Sequence, residues 1–125
     1  MQYADKSPLQ CLPLKPADFQ VLMTLLPGEM HGYGIMKEVL KQSEGTVRLE
    51  VGSMYRLLGR MISQGLIAAA AAPPGEAPPP SGRRRYFKIT ALGRRAARAE
   101  ARRLQTTLKT ARAHQLLKGT EAADV

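Results

Sequence analysis

A mainly α-helical fold with a small β-wing, ending in one long helix, is what this 125-residue sequence predicts. Three observations point there. Residues 50–67 (EVGSMYRLLGRMISQGLI) repeat apolar side chains at steps of three and four, the mark of a helix buried along one face. After them come a short apolar run, a Pro/Gly-rich loop and the strand-like run 83–90 (RRRYFKIT). Residues 91–118 then read as a continuous helix. Helix, strand, basic loop and strand is the order of a winged helix-turn-helix, which reads DNA with both helix and wing.

The recognition candidate is the helix over residues 51–64. Met54, Leu57, Leu58, Met61 and Ile62 form its apolar face, Ser53 is placed to cap its start, and Gly65 to end it in the left-handed conformation. Ser53, Arg56, Arg60, Ser63 and Gln64 fall on the other face, where two guanidiniums and three small donor–acceptor groups suit base edges and phosphates. The plainer reading is the solvated face of a core helix.

The chain has the length of one domain, with boundaries read as an N-terminal arm (1–14), a winged-helix domain (15–90, wing tip about 73–82), a C-terminal helix (91–118) and a tail (119–125). Aromatic residues make up 5% and Trp is absent, so the core rests on Leu, Met, Ile, Val and Ala. Cys11 is the one cysteine, which excludes an internal disulfide and fits a reducing cytoplasm. A small packed or loop Cys is its plain reading, a redox-sensing thiol the sharper one. The first residues lack the basic start and apolar run of a signal peptide. No run approaches the roughly 18–20 apolar residues that span a bilayer. The sequence therefore reads as a soluble cytoplasmic protein.

The formal charge is +9, and it is unevenly placed. Residues 83–118 hold twelve Lys or Arg against one acid, Glu100, and so carry +11, while the remainder carries −2. A surplus confined to the second wing strand and the last helix points to a polyanionic partner, with nucleic acid ahead of an anionic membrane.

Taken in order, residues 16–26 form the first helix, with Pro16 in its first turn and Phe19, Leu22, Met23 and Leu26 on one face; Pro27-Gly28 ends it. Residues 30–42 form the second, with Ile35, Met36, Val39 and Leu40 inward. His31-Gly32-Tyr33 sits at its entry, where backbone donors and the Tyr33 hydroxyl make a phosphate seat, unless His31 and Tyr33 only cap and pack that entry. Residues 43–45 are a turn, and 46–50 an extended segment able to pair with the wing as a third strand. Residues 67–72 form the first wing strand, although alanines are poor strand formers. Arg83, Arg84 and Arg85 lie at the base of the proline-rich tip, where arginines enter a narrow minor groove or clamp phosphates; a solubilising charge run is the alternative.

In the last helix Ala97, Ala101, Leu104, Leu108 and Ala111 follow the four-three spacing of a coiled-coil seam. At ~28 residues and 1.5 Å per residue it would run ~40 Å, more than so small a domain covers by itself. Its simplest partner is its symmetry mate.

The sequence offers no catalytic or metal constellation. His31, His114 and Cys11 lack ligand spacing, and Gly32–Gly34 lacks the later Gly and Lys of a phosphate loop. We expect neither enzyme activity nor a cofactor.

Three segments carry a resemblance: HGYGIMKEV (31–39), GSMYRLLGRMISQGLI (52–67) and RRRYFKITALGRRA (83–96). Together they resemble the PadR family of winged-helix transcriptional regulators, in its short subfamily with a single C-terminal helix. Ser53 and Tyr55 fall on the family's G-[ST]-hydrophobic-Tyr pattern, and Arg85, Tyr86 and Thr90 on R-[KR]-Y-Y-x-hydrophobic-T. The resemblance implies a homodimer held by the C-terminal helix, a palindromic operator and repression of a neighbouring gene. It implies DNA contacts at Tyr33, Ser53, Tyr55 and the wing arginines; Arg56 and Arg60 come from the face of the helix alone. Arg56 stands where the family often has Pro, and the wing tip is unusually proline-rich. Residues 91–118 hold no aromatic, so the aromatic-lined effector cleft of some members is not expected, and any effector is open. The rival reading is a winged-helix interaction module docking an acidic partner through its basic last helix. A membrane-surface helix is a weaker third, since the apolar side has no aromatic anchor.

Overall fold

The computed structural model describes residues 8–75 and 85–117. After a 3-10 turn (Pro8–Cys11) come α1 (Pro16–Leu25), β1 (Met30–His31), α2 (Gly32–Gln42), α3 (Val51–Ser63), β2 (Ile67–Ala70), β3 (Tyr86–Ile89) and α4 (Ala91–Ala113). The strands form an antiparallel sheet ordered β1-β3-β2. Four helices with a small three-stranded sheet are the architecture the sequence predicts. Most of the expected wing tip, Arg83 and Arg84, the first seven residues and the tail lie outside the described residues.

α1 starts on Pro16, whose missing N–H costs nothing in a first turn. Its inward face is not the expected one: Val21, Leu22 and Leu25 are fully buried, Phe19 and Met23 only partly, and Leu26 is 39% exposed. The reason is that α1 is covered on several sides, by α2, α4 and β3, so no single stripe describes its burial.

The second helix begins two residues later than expected, because Met30 and His31 pair with Phe87 and Tyr86 of β3. His31 caps it, its Nδ1 accepting the Gly34 N–H at 3.0 Å. The third strand is thus β1 and not residues 46–50. That segment folds back on the end of α2: the Val47 N–H donates to Ser43 Oγ (3.0 Å) and the Thr46 hydroxyl to the Ser43 carbonyl (2.8 Å).

α3 buries Met54, Leu58 and Met61. Glu50, extended at φ −105°, takes the cap position. Ser53, already in the first turn, donates back to the Glu50 carbonyl at 3.1 Å, so it is not the cap that was expected. Gly65, at φ 80°, ends the helix as expected.

β2 pairs along β3 from Ile67↔Ile89 to Ala70↔Tyr86, so backbone pairing carries what the alanines lack in propensity. Strict alternation fails in β3. Phe87 and Ile89 face the core, while Tyr86, on the opposite face, is buried edge-on against His31, ring centroids 5.5 Å apart. Thr90 couples sheet to helix: its Oγ1 lies 2.6 Å from the Gly65 carbonyl and accepts the Gly93 N–H at 2.9 Å.

α4 buries Leu92, Gly93, Ala96, Ala97 and Glu100 in its first turns. It ends five residues earlier than expected: Gln115 takes a left-handed φ of 65°, and the Leu116 N–H returns to the Ala111 carbonyl. At 23 residues it is ~35 Å long. The described part of the N-terminal arm, residues 8–14, packs along it, with Leu14 buried and its N–H donating to Glu100 Oε1 at 3.2 Å.

Candidate nucleic-acid interface

The face of α3 turned away from the core presents Val51, Gly52, Ser53, Arg56, Gly59 and Ser63 to solvent. Backbone is unusually accessible there, since a Cβ at Gly59 would meet nothing within 4 Å and one at Gly52 only the Arg56 guanidinium.

Beside the start of α3 the chain builds a corner from three elements. Tyr33, 58% exposed, projects from the first turn of α2. Tyr55, half-buried, backs onto Gly32, where any Cβ would collide with the tyrosine hydroxyl. The Arg85 guanidinium lies 5.5 Å from the Tyr55 ring centre and 5.8 Å from that of Phe87, while its carbonyl accepts the Gly32 N–H at 3.2 Å. Wing base, α2 entry and recognition helix are therefore held in one relation. The backbone phosphate seat expected here is partly closed, since the Gly32 and Gly34 N–H groups already have acceptors in Arg85 and His31.

Arg60, unlike Arg56 on the same helix, is tied to a buried carboxylate. Both its terminal nitrogens reach Asp18, each at 2.9 Å, and it lies 3.3 Å from the Gln64 amide oxygen. That hydrogen-bonded carboxylate holds its guanidinium even more firmly charged than usual. Its fork is thus engaged by Asp18 of α1, although its side chain is 38% exposed. Arg56 keeps its exposed position.

Of the expected seam on α4, Ala97 belongs to the chain's own core, Ala101 and Leu108 are exposed, and Leu104 and Ala111 are half-buried. Phe19, Ala101, Leu104 and Leu108 line an open trough of about 540 Å³ rimmed by Arg98, Arg102 and Arg112. Glu100 takes no part in this surface: it is buried, accepts two bonds from Arg103 at 2.9 and 2.7 Å, and is thereby held below the usual carboxylate range. The placement of Asp18, Glu100 and the exposed Val51 does not follow from helical periodicity. Only Glu100 left a signal, as the sole acid in the basic stretch. Among the described residues no cluster of His, Cys, Asp or Glu could hold a metal ion, and no helix is long and apolar enough to cross a membrane.

A helix presented beside a two-stranded wing, on a three-helix body with a trailing helix, defines a winged helix-turn-helix regulator. The chain belongs to the PadR-like family of transcriptional regulators, whose family model matches residues 21–99. It is therefore a regulator and not an enzyme. Its fold is similar to a PadR family regulator from Clostridium difficile (TM-score 0.65, 23% identity, 81% of this chain and 99% of that one). It is also similar to a PadR-like regulator from Bacillus cereus (0.62, 20%, 81% and 92%) and a transcriptional regulator from Clostridium thermocellum (0.62, 20%, 82% and 90%). No curated protein matches by sequence.

Proposed function

We propose that this chain is a homodimeric, sequence-specific DNA-binding repressor acting on a palindromic operator in the cytoplasm. The observation that carries this reading is the exposed first half of α3, held through Tyr55 against Gly32 of the α2 entry and Arg85 of the wing base, with the chain's positive charge gathered after residue 82. α3 enters the major groove, with Ser53 and Arg56 at base edges or phosphates and Tyr33 and Tyr55 at the backbone beside them. Arg83, Arg84 and Arg85 follow the wing to phosphates or minor groove. Arg60 drops out as a contact and becomes the tie to α1. The second copy covers Ala101, Leu104, Leu108 and Ala111, and two-fold symmetry puts half-sites about 10 bp, or a multiple of that, apart.

The test is binding to the DNA upstream of its own gene against a scrambled duplex at two salt concentrations. The expected preference is ~10³ or more, with a steep salt dependence. Arg56→Ala should then cost ~1–3 kcal/mol and relax discrimination at one position. Equal weakening on both duplexes would assign Arg56 to phosphate.

The basic rim of the α4 trough favours a second reading, an interaction module for an acidic protein. Equal binding to both duplexes, together with salt-sensitive capture of an acidic peptide that is lost on reversing Arg98 and Arg102, would support it.

A further inference from the structure

We infer that Val51 is a specificity-determining side chain, reading the C5-methyl group of a thymine in the major groove. This rests on the DNA-binding reading above and adds a contact to it. Val51 is the first residue of α3 and 46% exposed, so its side chain contributes little to the core. Helical side chains lean toward the N-terminus, which carries the Val51 methyls out past the end of α3. That end is the one a recognition helix presents to base edges. The next residue is Gly52, and a Cβ there would meet only the end of the flexible Arg56 side chain, so the surface beside Val51 is little obstructed. The other large aliphatic side chains exposed among the described residues, Leu26, Leu108 and Leu116, lie on or after α1 and α4.

The chemistry narrows the ligand. Val51 has no donor or acceptor to offer, and a β-branched residue is a mediocre helix former, so neither hydrogen bonding nor propensity accounts for it. In the major groove the base edges present hydrogen-bond donors and acceptors, and the one apolar group that projects into it is the thymine methyl. Ser53 and Arg56 supply the donors for neighbouring positions and cannot recognise that methyl. Val51 can.

The experiment uses the full-length protein and Val51→Ala on the preferred duplex, and on a series in which each thymine in turn is replaced by uracil. Alanine is the better helix former, so the variant folds. One thymine per half-site should lose about fourfold in affinity for the wild type on becoming uracil, the worth of one buried methyl. Val51→Ala should lose a similar factor on the thymine duplex and nothing further on that uracil duplex. Losses that multiply at every position, or a wild type insensitive to every uracil, would overturn the assignment while leaving the regulator reading intact. A wild type that prefers no duplex would overturn both.

Discussion

Asp18 and Glu100 are both almost fully buried, and each is satisfied by an arginine that reaches solvent. Asp18 ties α1 to the last turns of α3. Asp18→Asn loses the ionic character of that tie but keeps the shape, and should lower stability by about 1–2 kcal/mol, discounted because Arg60 is over a third exposed. Urea unfolding measures it; an unchanged midpoint would mean that the pair contributes nothing. Glu100 accepts from Arg103 and from the Leu14 N–H, and its folded pKa lies below the ordinary 4.5. A depressed carboxylate stabilises the fold above its unfolded pKa, and that contribution is lost as pH falls through the folded value. Wild-type stability should therefore decline as the pH drops below about 4.5, while Glu100→Gln starts lower at pH 7 and declines less over the same window. Parallel acid limbs for the two proteins would remove Glu100 from the account.

At the scale of elements, the junction of sheet and α4 is closely packed. Thr90 caps α4 and bonds back to the end of α3, and a Cβ at Gly93 would run into the Leu66 carbonyl. Backbone atoms cannot rotate aside as a side chain can, so Gly93→Ala should cost about 1–3 kcal/mol despite alanine's better helix propensity. Thermal unfolding decides it, and a stabilised variant would mean that α4 shifts freely on the sheet. The same junction aligns α3 with the wing. Arg85 completes that alignment from the other end of β3, over the Tyr55 ring.

For the whole molecule, the distribution of charge and apolar surface assigns different tasks to its two ends. The first turns of α4 belong to the chain's core, and the later turns leave Leu104 and Leu108 beside Arg98, Arg102 and Arg112. Leu108 is 42% exposed, so replacing both leucines with arginine should leave helical content in place while adding like charge to the seam. On the proposed dimeric reading, sedimentation should then find a dimer for the wild type and a monomer for the double variant, with weaker operator binding. A dimeric double variant would move the interface elsewhere.

Much of this organisation is local and was readable from the chain. The three- and four-residue spacing in α3, Pro16 at the head of α1, Gly65 after α3 and the order of helix, strands and last helix each depend on neighbours within a turn or two. The exposed position of Arg56 and Ser53 followed from the same periodicity. What only the tertiary structure decided involves groups far apart in sequence. Met30 and His31 displaced residues 46–50 as the third strand because β3 selects its neighbour in space. Arg60 looked free until Asp18, 42 residues away, met it. Leu14 and Ala97 proved to be core because Glu100 fastens the N-terminal segment to α4 across 86 residues. Periodicity reports which face of an element is apolar; it does not report what that face, or a charge on its edge, will touch.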